Sequence, residues 1–147
     1  MKPSASKKHR RIKYQLSLLL SIVIVIPFGY FIRFSQGPLP GWLNDGLGSV
    51  AYEIFWILLF ALIFSIFASK ISPLKIASGV LIATCCIEFL QLWKSPFLET
   101  VRSTLPGRLV LGNTFVWWDF ISYFVGSFAG WLWLKGLRTY FYSKSSP

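Results

Sequence analysis

Three carboxylates that stand inside long apolar runs are the residues of this sequence best suited to chemistry. Glu53, Glu88 and Asp119 lie within such runs, whereas the remaining acids, Asp45 and Glu99, lie in polar connections. A carboxylate at the centre of a membrane costs about 2.5 to 3.5 kcal/mol, and less near an end. Each therefore needs a partner or a wet pocket, which indicates either a binding site or a structural pair between helices.

The three carboxylates are predicted to lie at a similar depth. At about 1.5 Å per residue, each falls about 6 to 7 Å from the same side of the bundle. Two arginines of one connection are the expected counter-charges, because a guanidinium can fork onto a carboxylate and tolerates a partly dry site. We therefore predict one polar pocket, whose candidate residues are Glu53, Glu88, Gln91, Arg102, Arg108 and Asp119.

A stripe of small residues follows the last of these acids. Ser122, Gly126 and Gly130 share a helical face with Asp119, and the two glycines form a G-x-x-x-G pattern. Such a pattern favours close contact between membrane helices. We interpret the three small residues as helix packing, and expect Asp119 to face protein rather than lipid.

The remaining reactive residue types are sparse. His9 is the single histidine and lies in a basic segment, while Cys85 and Cys86 are adjacent within an apolar run. Neither arrangement has the spacing of a metal site or of an ordinary disulfide. We expect no metal and no cofactor. Without an activated nucleophile the sequence identifies no catalytic residue, and an enzyme is the less favoured interpretation.

The composition predicts the elements that position these residues. The chain has 147 residues, of which 54% are hydrophobic and 14% charged, a balance typical of a protein dissolved in lipid. Its length accommodates four spans of about 20 residues in a single domain. The predicted class is an all-α integral membrane protein with spans at 14–34, 49–68, 73–93 and 115–137. The first span is interpreted as an uncleaved anchor.

The connections complete this prediction. A basic tail over 1–13 precedes the four-helix domain at 14–137, and a second tail covers 138–147. The Gly- and Pro-rich segment 35–48 is predicted to be a loop. Within 94–113, apolar residues at helical spacing after Ser95-Pro96 predict one short interfacial helix, ended by Pro106-Gly107.

The distribution of Lys and Arg predicts the orientation. With both ends in the cytoplasm, eleven of the 15 basic residues lie inside and four outside. The positions counted outside are Arg33, Lys94, Arg102 and Arg108. The polar pocket then faces outward from the plasma membrane. The basic first segment is expected to meet anionic lipids rather than nucleic acid.

Several stretches resemble a known family. YEIFW, IEFLQLW, PFLETVRST and GRLVLGNTFVWWDF are similar to small bacterial membrane proteins of domain of unknown function 2809, particularly cyanobacterial members, over 12–137. The most specific part is the ordered set Glu88, Gln91, Arg102, Gly107, Arg108, Gly112 and Asp119. That family in turn resembles VanZ-like proteins, which are associated with teicoplanin resistance.

The resemblance implies the topology and draws attention to Glu88, Gln91, Arg108 and Asp119, but it implies no substrate or reaction. It also implies an acid near Ser49, whereas the acid of this run is Glu53.

The favoured functional hypothesis is a pocket that binds an anionic or polar envelope component. The ligand would be a lipid headgroup or a lipid-linked sugar, held by the arginines, which Glu88 and Asp119 orient. The first alternative is a structural or assembly subunit whose partner is another membrane protein or a second copy. An enzyme acting on a lipid-linked substrate and a proton-coupled transporter are further alternatives.

Overall fold

The computed structural model describes residues 5–34, 37–67, 71–112 and 114–143. All regular structure in these ranges is helical, so the predicted all-α class is confirmed. The six helices are α1 (Ala5–Phe34), α2 (Gly41–Ile66), α3 (Pro73–Leu90), α4 (Pro96–Ser103), α5 (Leu105–Leu111) and α6 (Trp117–Tyr142).

Helix α2 lies at the centre and contacts α1, α3 and α6. It runs antiparallel to α1, because Arg11 near the start of α1 bonds to Ile66 at the end of α2, while Gly29 faces Ala51. Helix α6 runs parallel to α2, because Ser49 bonds to Asp119 and Glu53, further along α2, to Ser127, further along α6. It also contacts α3 and α1. The four long helices thus form one bundle in which α1 and α3 run opposite to α2 and α6.

Two glycines set the distance between α2 and α6. A Cβ added at Gly126 would lie 2.7 Å from Glu53 Cβ and 2.9 Å from the carbonyl oxygen of Val50. A Cβ at Gly130 would lie 2.8 Å from Ile57 Cδ1. No side chain larger than hydrogen fits at either position without displacement, so the two backbones approach closely here.

The interior is a thin apolar seam and the exterior is also apolar. Leu18, Ile57, Leu58 and Leu134 are fully buried between α1, α2 and α6. Large hydrophobic side chains elsewhere on the helices are exposed, and Phe124 retains 66% of its surface. An apolar exterior of this extent suits a lipid environment rather than water.

Three helices in the described ranges are long and apolar enough to cross a membrane, namely α1, α2 and α3. The described chain therefore has the helices of a membrane protein. Helix α6 has 26 residues but includes Asp119, Lys135 and Arg138, and is rich in aromatic residues, so composition does not select it as a fourth span.

The helix boundaries differ from those predicted. Helix α1 begins at Ala5 instead of residue 14, so basic residues predicted in a tail occupy its first turns. Helix α2 begins at Gly41, although 35–48 was predicted to be a loop. Packing explains the second difference, because Gly48 lies against the Arg33 side chain of α1, and this contact stabilises helix where local propensity is low.

The predicted single interfacial helix is in fact two, so the prediction that Pro106-Gly107 ends the helical structure was wrong. Pro106 lies in the first turn of α5, where a proline has no helical hydrogen bond to lose. Side-chain oxygens cap both helices: Ser95 Oγ accepts from the Leu98 N–H at 3.3 Å and Thr104 Oγ1 from the Gly107 N–H at 3.1 Å.

Replacing Gly126 tests the close contact between α2 and α6. Gly126→Ala should destabilise the protein by about 1 to 3 kcal/mol, because its Cβ would overlap Glu53 and the backbone of Val50. Gly136→Ala in the same helix is the matched control, since nothing lies within 4 Å of its added Cβ. Equilibrium unfolding in mixed micelles measures both; equal stability of the two variants would contradict the contact.

Candidate functional site

Glu88 is a fully buried carboxylate that joins the end of α3 to the start of α6. Its Oε1 accepts a hydrogen bond from the Val116 backbone N–H at 2.9 Å. Its Oε2 accepts from Gln91 Nε2 at 2.9 Å and from the Tyr123 hydroxyl at 3.2 Å. Both oxygens of this buried acid are thus held by neutral donors, which lowers the cost of burial.

Gln91 is positioned by a glycine of the α5–α6 connection. Gly112 has φ of 64°, in the left-handed region that favours glycine, and an added Cβ would lie 2.7 Å from Gln91 Nε2. Both the backbone conformation and the space therefore require glycine at residue 112. The Oε1 of Gln91 is buried, and no described group donates to it.

Glu53 is fully buried between α2 and α6. Its Oε1 accepts a hydrogen bond from Ser127 Oγ at 2.6 Å. Its Oε2 is also buried and accepts no hydrogen bond of good geometry among the described residues, while the side chain of Thr84 in α3 lies close to this carboxyl group. Glu53 therefore links α2 to α6 through one oxygen.

Asp119 forms a second link between the same two helices. It lies in the first turn of α6 and is half-buried, and its Oδ1 accepts from Ser49 Oγ of α2 at 2.8 Å. A carboxylate at this position is stabilised by the positive end of the helix dipole. The resemblance implied an acid near Ser49; in this chain Ser49 is instead the donor to an acid of α6.

The two arginines of the predicted pocket do not pair with these carboxylates in the described structure. Arg102 donates from Nη2 to the Leu90 carbonyl oxygen at 2.7 Å and from Nη1 to that of Trp93 at 3.4 Å. It thereby closes the carboxyl end of α3, while its Nε is buried without a described partner. Arg108 is exposed.

The structure thus brings Glu88 and Gln91 into direct contact and ties Glu53 and Asp119 to the α2–α6 contact. Arg102 lies at the same end of the bundle, on the carbonyl groups that follow α3. The predicted pocket included Gln91, but sequence reasoning missed the other neutral donors to the acids, which are Ser49, Tyr123 and Ser127. Helical spacing carries a signal for them, because Tyr123 and Ser127 follow Asp119 at four-residue steps and Ser49 precedes Glu53 by four.

The described residues of this region offer no set of ligands typical of a metal site. Among the described residues, no group of three or more His, Cys, Asp or Glu side chains is placed to share an ion. The chemistry that the cluster offers is therefore hydrogen bonding and charge: carboxylate and amide oxygens as acceptors, and guanidinium N–H groups as donors.

These features define a class, namely a helical membrane protein with acids buried between its helices. A family model described as Protein of unknown function (DUF2809) matches residues 38–127, and the chain belongs to this family. The matched range contains all six candidate pocket residues. No solved structure matches the chain.

Removal of the Glu88 carboxylate should be strongly destabilising. In Glu88→Ala, three buried or half-buried donors lose their acceptor, which we expect to cost about 2 to 5 kcal/mol. Glu88→Gln retains one carbonyl oxygen and should fall between this variant and the wild type. Glu99→Ala removes an exposed acid of α4 and should change stability little. Unfolding in mixed micelles provides the measurement, and a Glu88→Ala protein as stable as Glu99→Ala would refute this role.

Proposed function

We propose that the chain is a multi-pass protein of the plasma membrane, with four spans and both ends in the cytoplasm. Helix α6 is the proposed fourth span. Its 26 residues extend about 39 Å, enough to cross the hydrocarbon core of a bilayer. Its packing against α2 and α3 supports this assignment, because a helix that lies beside two spans along much of its length shares their environment.

The bias of basic residues supports the orientation. Lys7, Lys8 and Lys13 lie in the first turns of α1, at the end of the bundle opposite the carboxylate cluster. Such residues are retained on the cytoplasmic side of bacterial membranes. Exposed tryptophans surround the other end, where Trp42 and Trp118 have ring centroids 6.1 Å apart. Aromatic side chains of this kind favour the headgroup level.

The end of the bundle that holds Glu53, Glu88 and Asp119 is called the carboxylate end. We further propose that the carboxylate end binds a polar component of the cell envelope. The observation that carries this proposal is a pair of buried polar atoms at the end of α3, Gln91 Oε1 and Arg102 Nε, which no described group satisfies. A buried acceptor left without a donor costs about 1 to 3 kcal/mol, so a hydroxyl-bearing ligand that reaches Gln91 Oε1 gains that amount. Sugar and glycerol hydroxyls are donors of the right chemistry.

In this proposal, the arginines bind the anionic part of the ligand. The exposed guanidinium of Arg108 is free to hold a phosphate or carboxylate, and Arg102 keeps a buried Nε–H beside the same end. A lipid headgroup or a lipid-linked sugar combines hydroxyl and phosphate groups, so it fits both sets. The VanZ-like relationship and the cyanobacterial source stay predictions, and neither is needed for this proposal.

A structural or assembly subunit is the second candidate. The supporting observation is that the hydrogen bonds from Ser127 to Glu53 and from Ser49 to Asp119 both cross between α2 and α6. A pattern of this kind serves helix packing, within one chain or against a partner. Native mass measurement separates the two candidates, because an obligatory second protein or second copy belongs to the subunit.

Single-cysteine labelling tests the orientation. In a chain whose Cys85 and Cys86 are replaced by serine, Lys94→Cys should react with a membrane-impermeant maleimide in intact cells. Lys8→Cys should react only after the membrane is opened, since we place α1's first turns inside. Labelling of both sites in intact cells, or of neither after opening, would contradict the proposed orientation of α1–α3.

Arg108→Ala tests the binding proposal. It should lower the amount of polar lipid or lipid-linked sugar retained on gently extracted protein by about tenfold, because charge-assisted hydrogen bonds are lost. Lys94→Ala removes another exposed charge between α3 and α6 and should retain the wild-type amount. Lipid analysis by mass spectrometry provides the measurement. Unchanged retention in Arg108→Ala would contradict ligand binding, and loss of the inserted protein itself would favour the structural subunit.

A further inference from the structure

A second arrangement of arginines lies at the opposite end of the bundle. Arg11 of α1 donates from Nη2 to the carbonyl oxygen of Ile66, the last residue of α2, at 2.7 Å. Arg138 of α6 donates from Nη1 to the carbonyl oxygen of Ile71, just before α3, at 2.6 Å. The two guanidinium groups thus hold the two sides of the α2–α3 connection.

Each arginine uses one terminal nitrogen of its guanidinium group in this contact. Among the described residues, neither guanidinium group forms another hydrogen bond, and none of their nitrogens is both buried and unpartnered. The remaining N–H groups are therefore accessible. A guanidinium anchored on one side and accessible on the other is fixed in position, so little side-chain entropy is lost when it binds an anion.

Both arginines line one cavity of about 360 Å³. Tyr14 and Tyr142 contribute to the same wall, and their rings pack edge to face at a centroid distance of 5.6 Å. Among the described residues, the other lining side chains are apolar apart from Ser65, and none of them is acidic. The cavity combines two half-buried cations and two tyrosine side chains with an apolar floor, formed by buried side chains that include Ile76 and Leu134.

We propose that this cavity binds the phosphate group of an anionic membrane lipid, with the guanidinium groups of Arg11 and Arg138 on either side of it. A phosphate matches the fork of a guanidinium and accepts several hydrogen bonds at once. The apolar floor accommodates the adjoining glycerol and acyl carbons, which favours a lipid over free phosphate. The site is separate from the carboxylate end and does not depend on the function proposed for that end.

The test uses the full chain in nanodiscs of phosphatidylcholine and phosphatidylglycerol, followed by native mass spectrometry of the released protein. The wild type should retain phosphatidylglycerol selectively. The double variant Arg11→Gln/Arg138→Gln should lower this selectivity about tenfold, the effect expected when hydrogen bonds to a charged group are lost. The matched control Lys13→Gln/Lys135→Gln removes two exposed charges from the same two helices outside the cavity, and should retain it.

Equal selectivity in the arginine and lysine variants would overturn the proposal, as would a wild type that retains both lipids alike. An arm with inorganic phosphate distinguishes the source of the anion: displacement of phosphatidylglycerol by equimolar phosphate would mean a free-phosphate site and would overturn the lipid assignment. If the double glutamine variant does not fold, Arg11→Lys/Arg138→Lys replaces it. That variant keeps both charges but lacks the fork, and is expected to fall below the wild type; unreduced selectivity counts against the two-arginine clamp.

Discussion

The cost of a carboxylate away from water is the constraint on which this bundle depends, and Glu88 shows how it is met. With both oxygens hydrogen-bonded to neutral donors, the acid fixes the end of α3 against Val116 and Tyr123 of the α6 region. The segment between α3 and α6 must therefore bring the start of α6 back to the end of α3. Two short capped helices and the left-handed Gly112 provide that path, since they reverse the chain while keeping Gln91 beside the acid.

Several charged side chains in the described ranges bond to backbone groups at helix ends rather than to one another. Arg102 lies on the carbonyl oxygens at the end of α3, and Arg11 on that of Ile66 at the end of α2. Glu88 and Asp119 lie at the amino end of α6. Helix ends expose unpaired backbone groups and carry partial charges, so a membrane protein with few ion pairs can still satisfy its charges there. A buried charge can be stabilised by an opposite charge or by the end of a helix. The sequence led us to expect acid–arginine pairs, whereas the described residues use helix ends.

The dependence of these contacts on the folded register explains which features could be predicted from the sequence. Apolar runs predict helices well, because lipid requires every backbone group to be satisfied within the segment, and the all-helical class follows from them. The ends of helices were less predictable: the Gly- and Asn-rich start of α2 is helical because Gly48 packs on Arg33, a contact between distant residues. The acids were evident from their position in apolar runs. Their partners were not, since serine and tyrosine are common and only the folded register selects Ser127 or Tyr123.

The role of the buried acids in specifying the fold follows from the solvent. In lipid, one apolar helix face is nearly equivalent to another, so the hydrophobic effect does little to fix the rotation or register of a helix. Glycines permit α2 and α6 to approach, but a smooth contact also permits sliding. The bonds from Ser49 to Asp119 and from Ser127 to Glu53 are directional, and both form only in one register. An apolar residue in place of either acid could preserve stability and lose this selection. The strength of the α2–α6 contact and the selection of one register are thus separate properties. The polar residues provide the selection of register.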